Sequence, residues 1–425
     1  MPPTYEPLAD SPAAAQLGRP WPRRPLSARN PWFLVACILT IVAVSAHFAL
    51  GAHGDADTGA GYRSASVRWP FDAAEPHGLS TLVGASKLAS RPGKAQTCTA
   101  HQLLDAVARA RVDPAGPAAL PPANATFEPA DFRFSFDLPG CSPPHVYSAA
   151  EACDLLENSF GGLLLRGDSL VRHLANALFI ILRGRRDGAI TKGEARDICW
   201  GDRMFDDKKN CREFGLGDSQ DPALDAPVCG GNVFLHYEDR ACPSSPTSYV
   251  ARLVEWRNKM PWYRKDLSPV VVQSFGLHCK MATSVSLLGA VKPLLNFAST
   301  AFPAPLPLWL GIHAPGPNKP VQFAGEQGPA AVQRYNAAMR RRLDGVQPGD
   351  QALAEGRMGF LDYFGMTDGA KSFDGTHYMY QVNLEKAHLL LNYLDVLARE
   401  VQGAGGLFNL SDICPSGVND YRCRQ

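Results

Sequence analysis

The stretch that decides the fold is GGLLLRGDSLVRHLANAL, residues 161–178. A short apolar run ends at Gly167 and passes through Asp168 and Ser169 straight into residues with helical spacing. Leu170, His173, Leu174, Ala177, Leu178 and Ile181 share one face. This is the pattern of a buried strand feeding a helix, and a serine at that junction has two roles open to it. It either caps the helix by accepting a spare N–H of the first turn, or stands as a nucleophile at the sheet edge. In the second case its own N–H, at a helix N-terminus, favours an oxyanion.

Working outward, four more short apolar runs end in polar or turn-forming residues: NVFLHYE (232–238), PVVVQSFG (269–276), PLWLGIHA (307–314) and MGFLDYFG (358–365). Each reads as a buried strand. Helical stretches lie between them: Ser148 and Glu151 form a capping box for a helix to about Leu156, and a long amphipathic helix runs from Tyr378 to Gln402, stopped by Gly403. Strands alternating with helices predict a three-layer α/β/α domain with a doubly wound, mostly parallel sheet, whose ligands bind beyond the carboxyl ends of the strands.

Before this domain lies PWFLVACILTIVAVSAHFALGA, residues 31–52, about twenty apolar residues in near-unbroken series. Arg19, Arg23, Arg24 and Arg29 precede it, and Asp55 and Asp57 follow it. The charge bias predicts a type II signal anchor with a cytosolic N-terminus and a lumenal domain. A cleaved signal peptide is the competing reading, with an apolar core normally shorter and nearer the start. Ten of the 11 cysteines lie beyond the segment, which fits an oxidising compartment and up to five disulfides. Close spacing favours Cys199 with Cys211, Cys229 with Cys242, and Cys414 with Cys423. Sequons at Asn124 and Asn409 fall on the same side. The expected organisation is a disordered tail (1–30), the anchor (31–52), a stem (53–97), a lead-in with a proline-rich loop (98–140) and the folded domain (141–425), with a disulfide-stabilised insert near 199–242.

A serine nucleophile needs a base, and the base an orienting acid. KSFDGTHYMYQVN (371–383) supplies Asp374 and His377, three residues apart, about 200 residues after Ser169. Read alone, Asp374 could equally cap the final helix and His377 pack on it. RGDSLVRHL and FDGTH together resemble the first and last blocks of the SGNH/GDSL hydrolase superfamily. More closely they resemble its PC-esterase-like branch, which includes trichome-birefringence-like glycan O-acetyltransferases and animal sialate and neurexophilin-like relatives. In that branch a cysteine-containing lead-in, here PGCSPPHVYSAAEACDLLENS, precedes a G-D-S-x-x-R element, and Arg172 stands at its arginine. The VVVQSFGLH run, with Gly276 and His278, is similar to the branch's central strand. The resemblance implies Ser169 as nucleophile, His377 as base and then acid, and Asp374 as orienter. It also implies an oxyanion site at the N–H groups of Ser169 and Gly276, with Asp168, Arg172 and His278 around it. No G-x-N-D block follows the VVVQSFG strand; Asn318, in HAPGPNKP, is the nearest later candidate for an oxyanion donor. A second Gly-Asp-Ser, at 217–219, lies in an acidic loop and reads as coincidence. His236 falls in a strand, His313 before a Pro-Gly turn and His388 on the final helix.

The expected function is therefore a lumenal, Golgi or secretory-pathway acyl enzyme, an O-acetyltransferase or acetylesterase acting on a glycan or glycoconjugate. A type II glycosyltransferase is an alternative, but the one Asp-x-Asp, at Asp55 and Asp57, sits beside the membrane segment. A non-catalytic glycan- or protein-binding module on the same fold is the other. A net charge of +1 gives no electrostatic reason for a nucleic-acid partner. No zinc spacing, phosphate loop or dinucleotide fingerprint is present, so no metal or cofactor is implied.

Overall fold

The computed structural model describes residues 97–403, apart from 113–128, 345–357 and a few segments of five residues or fewer. The tail, the 31–52 segment, Asn124, Asn409, Cys37, Cys414 and Cys423 lie outside the described residues. Among those described, no helix is long and apolar enough to cross a membrane.

The elements are α1 (Ala100–Arg109), α2 (Ala149–Ser159), β1 (Leu163–Gly167), α3 (Ser169–Arg183), β2 (Leu235–Asp239), α4 (Pro246–Lys259), β3 (Val270–Ser274), α5 (Lys292–Thr300), β4 (Leu306–Leu310), α6 (Pro329–Asp344), β5 (Gly359–Leu361) and α7 (Tyr380–Gly403). All five expected strands are present. They form one parallel sheet in the order β2-β1-β3-β4-β5. Strands β1, β3 and β4 are buried at every position, as their unbroken apolar runs require.

Alternate strand residues face opposite layers, because side chains in a strand point up and down in turn. Leu163, Leu165, Val270, Val272, Leu308 and Leu361 join a core with α1, α2, α3 and α7. Leu164, Val271, Trp309 and Phe360 join the other, with α4, α5 and α6. The capping box at Ser148 is formed, with α2 running three residues past the expected end, to Ser159.

Helix α7 differs from its reading as amphipathic: nearly all its residues from Tyr380 to Ala398 are buried. Its polar side chains face a strap of chain rather than water. Glu385 accepts the Ser135 N–H (2.7 Å) and hydroxyl (3.0 Å), and Asn392 exchanges hydrogen bonds of 2.8 Å with the His145 backbone. His388 Nδ1 accepts the Tyr147 N–H, and Glu400 accepts that of Ala100. Buried polar groups are retained where each has a partner, so residues 132–147 complete the helix's surroundings.

Four disulfides are present: Cys98–Cys141, Cys153–Cys229, Cys199–Cys211 and Cys242–Cys279. Cys199–Cys211 is as expected, but Cys229 does not pair with Cys242. Strand β2 lies between those two and carries the chain about 16 Å from one sheet edge to the other. Cys229 is left against α2, and Cys242 against the turn after β3. Several disulfides in one domain fit an oxidising, secretory-pathway compartment.

Non-reducing peptide mapping is expected to recover Cys153 linked to Cys229 and Cys242 linked to Cys279. A Cys229–Cys242 peptide from the native protein would contradict the arrangement. Burial raises the Glu385 pKa from an ordinary 4.5 to about 7. The native state therefore holds more protons than the unfolded state between those values, and this group's contribution to stability falls as pH rises from 4.5 to 7. Denaturation of Glu385→Gln across that range is expected to give a flatter stability profile than wild type; an unchanged slope would contradict the assignment.

Candidate active site

Parallel pairing of β1 with β3 sets Gly167 opposite Ser274. Ser169 and Gly276 each lie two residues further on, at adjacent carboxyl ends. The strand order reverses between β1 and β3, where ligands bind in open parallel sheets. Gly167 is required by space: a Cβ there would lie 2.4 Å from both the Ser274 carbonyl oxygen and Val171 Cγ2.

The helix cap is Asp168, not Ser169. The Asp168 Oδ1 accepts the Leu170 N–H at 3.0 Å, and its carbonyl accepts those of Val171 and Arg172. With capping assigned to the neighbouring side chain, the Ser169 hydroxyl is free to turn outward, and it lies 2.7 Å from His377 Nε2. His377 Nδ1 lies 2.8 Å from Asp374 Oδ2, and Asp374 Oδ1 accepts the backbone N–H groups of Thr376 and His377, both at 2.9 Å. The imidazole thus donates from Nδ1 and presents Nε2 to the serine.

Asp374 does not cap α7. That helix begins at Tyr380, whose N–H is taken by Asp202 Oδ1 at 2.7 Å, from the segment between Cys199 and Cys211. Burial pushes the Asp374 carboxyl up, but the ring, backbone and charge of His377 and the Thr376 N–H outweigh it, and the net pKa is well below the ordinary value.

The loop after β4 holds this turn. Gly316 N–H donates to the Gly375 carbonyl at 3.0 Å, and His313 Nε2 lies 2.9 Å from the Thr376 carbonyl oxygen. Asn318 donates to the carbonyls of Ser372 and Phe373 and accepts the Ser372 hydroxyl, so it orders the Asp374 loop and is not available to an oxyanion. Gly375 has φ +79°, and a Cβ there would meet Lys319 Cα at 2.2 Å; only glycine fits.

The N–H groups of Ser169 and Gly276 donate to no acceptor among the described residues. Gly276 is packed so closely that a Cβ would lie 2.2 Å from Ile312 Cδ1. His278 is exposed on the turn after Gly276 and acts electrostatically on the Asp168 carboxyl, as do His377 and Arg172. Burial dominates at Asp168 and raises its pKa. Arg172 is buried beside Asp168 and the Tyr237 phenol. At the second Gly-Asp-Ser, the buried Ser219 hydroxyl donates to the Val233 carbonyl and accepts the Leu235 N–H, and Asp218 Oδ2 lies 3.1 Å from His236 Nδ1. This serine ties a loop to β2.

Sequence reading missed Asp202, His313, Lys319 and Lys386. His313 carried a usable signal, because it stands three residues after β4 at the sheet edge that already held Ser169 and Gly276. Among the described residues, no group of three or more His, Cys, Asp or Glu side chains is placed to hold a metal ion. No protein-family model matches the chain, and comparison with curated proteins and with solved structures finds no match. Fold and site together define an α/β domain with a five-stranded parallel sheet and a Ser-His-Asp arrangement at its carboxyl edge.

The assignment of the cap is testable by thermal or chemical denaturation. Asp168→Ala is expected to lose about 1 kcal/mol or more of stability, whereas Ser169→Ala stays within about 0.5 kcal/mol of wild type. The reverse order would make Ser169 the cap.

Proposed function

We propose that this chain is a serine-dependent acyl enzyme that moves a small acyl group to or from a glycan hydroxyl. The observation that carries the reading is the pair of contacts Ser169 Oγ to His377 Nε2 (2.7 Å), made across 208 residues of chain, and His377 Nδ1 to Asp374 Oδ2 (2.8 Å). Neither contact is needed to cap a helix, since Asp168 and Asp202 serve both helix ends.

In this reading Ser169 Oγ attacks the ester carbonyl carbon while His377 Nε2 takes its proton, and the carbonyl oxygen becomes an oxyanion. The N–H groups of Ser169 and Gly276 stabilise that oxyanion; each such donor is worth about 10²–10³ in rate. Collapse breaks the bond to the leaving oxygen, which takes the proton from His377, and leaves an acyl-serine. A sugar hydroxyl, or water, then gives its proton to His377 and attacks the acyl carbon, and Ser169 is released protonated. Transfer and hydrolysis differ only in the second nucleophile. Asp374 keeps Nδ1–H in place throughout and stabilises the imidazolium.

The resemblance of RGDSLVRHL and FDGTH to the PC-esterase-like branch of the SGNH hydrolases supports the same chemistry and directs it to O-acetyl groups on glycans. The apolar segment 31–52, its flanking arginines and the four disulfides support residence as a single-pass type II protein of the Golgi or another secretory-pathway membrane.

The test is labelling of the full chain, made in a secretory host, with a fluorophosphonate serine probe. Wild type is expected to label at Ser169. Ser169→Ala is expected not to label, and His377→Ala and Asp374→Asn to label at least about 10³-fold more slowly. Equal labelling of all four proteins would remove the assignment. Silence of a folded wild type would favour a binding module.

A further inference from the structure

Beside the turn that carries His377 lies a shallow, half-open cleft whose enclosed part has room for little more than a water molecule. Its wall includes Leu277, the residue after Gly276, and Thr376, the residue before His377; Ile312, Lys319 and Gln327 complete the part that matters here. The cleft is therefore lined by the neighbour of the proposed oxyanion glycine and by Gly375 and Thr376 of the turn that carries the base.

Lys319 is half-buried in this wall, and it is the one lysine or arginine among the described lining residues. Its backbone is fixed: the N–H donates to the Gly316 carbonyl at 3.1 Å, and Gly375 packs directly against its Cα. The ammonium donates to Thr376 Oγ1 and lies 5.6 Å from the centre of the Phe323 ring. Three donors are available on an ammonium; one is engaged. No carboxylate lies within ion-pair distance of it among the described residues. Asp374 attracts it from further away, but that carboxylate is committed to His377 and Thr376. Burial lowers the Lys319 pKa, the response of a cation with too little compensating charge. A half-buried cation at a cleft mouth, with donors to spare and only a hydroxyl and an aromatic face as partners, is under-compensated until an anion arrives.

We propose that the open mouth of this cleft is a subsite for a carboxylate on the acceptor glycan, with Lys319 as its charge partner; the proposal rests on the acyl-enzyme reading above. A single ammonium in an otherwise largely apolar wall matches one unit of negative charge. A phosphate dianion calls for a second cation or an arginine fork, and the wall has neither. Next to Lys319 the Phe323 ring (45 % exposed) and Val321 (86 % exposed) offer apolar surface to the C–H face of a sugar ring. The acceptor class is thus an acidic sugar such as a hexuronate unit, bound with its carboxylate at Lys319 and a hydroxyl at His377 Nε2.

The leaving group of an ester departs from the position where the acceptor enters, so matched aryl acetates test the subsite without knowledge of the natural sugar. The full chain is assayed with 3-acetoxybenzoate, 3-acetoxybenzamide and 3-acetoxyphenyl phosphate, with rates normalised to hydroxide-catalysed cleavage. Wild type is expected to favour the carboxylate over the amide by about tenfold in kcat/KM, as one charge-assisted hydrogen bond provides. Lys319→Met should bring that ratio to about one, and Lys319→Arg should restore most of it. A wild-type ratio near one overturns the proposal, as does a preference that survives Lys319→Met. So does a stronger preference for the phosphate, or fluorophosphonate labelling with no turnover of any ester. An equal loss on carboxylate and amide in Lys319→Met would assign Lys319 to positioning Thr376 alone. Failure of a folded wild type to label with fluorophosphonate would remove the acyl-enzyme reading itself.

Discussion

One hydrogen bond determines what the serine at the β1–α3 junction is free to do: the Leu170 N–H donates to the Asp168 carboxylate. A helix start leaves several N–H groups without partners, and the nearest side-chain oxygen takes one. Because Asp168 takes it, the Ser169 hydroxyl points away from the helix and meets an imidazole from the far end of the domain. The same junction needs Gly167, since β3 passes so close that any side chain there would strike the Ser274 carbonyl. Glycine for approach, aspartate for capping and serine for exposure are three separate demands, met by three consecutive residues.

The base is held by a different device. His377 is delivered on a turn whose Gly375, Thr376, Ser372 and Phe373 are each hydrogen-bonded to the loop after β4. That loop is anchored to α6 in turn, because Asn336 on that helix exchanges hydrogen bonds with the Ile312 backbone at 3.0 and 2.7 Å. Beyond the turn, α7 is immobilised by the strap of residues 132–147 bound to its polar side chains. The Ser169–His377 distance is therefore fixed from both directions by buried hydrogen bonds rather than by a flexible loop, the condition for a preorganised site.

How much of this was legible follows from the range of each interaction. All five strands could be read because a buried parallel strand imposes its apolar run locally, and the Ser148 capping box spans only four residues. The disulfides could not, except Cys199 with Cys211. Cys153 reaches Cys229 only because α2 and the turn before β2 pack against the same face of α3, a fact of topology that spacing does not carry. Glu385, Lys386, His388 and Asn392 made α7 look amphipathic, since a one-dimensional pattern cannot distinguish polar groups facing water from polar groups facing a strap. Asn318 misled in the same way: its identity suggested an oxyanion donor, whereas its hydrogen bonds hold the loop of Asp374.

Charge placement around the serine follows from the same burial. Burial pushes the Asp168 carboxyl up and brings Lys386 on α7 down to about 7, while the two attract each other. Arg172, a buried guanidinium, acts on the same carboxyl. On the far side of the Ser169–His377 hydrogen bond stands Asp374, held ionised by His377 and two backbone N–H groups. His313, close by, is kept neutral by burial, first, and by the Lys386 charge, so it adds no positive charge beside the base. A buried guanidinium thus stands behind the serine and a carboxylate behind the imidazole. In the proposed reaction an oxyanion develops at the first position and an imidazolium at the second, so the fold's own buried charges favour the separation that acyl transfer requires.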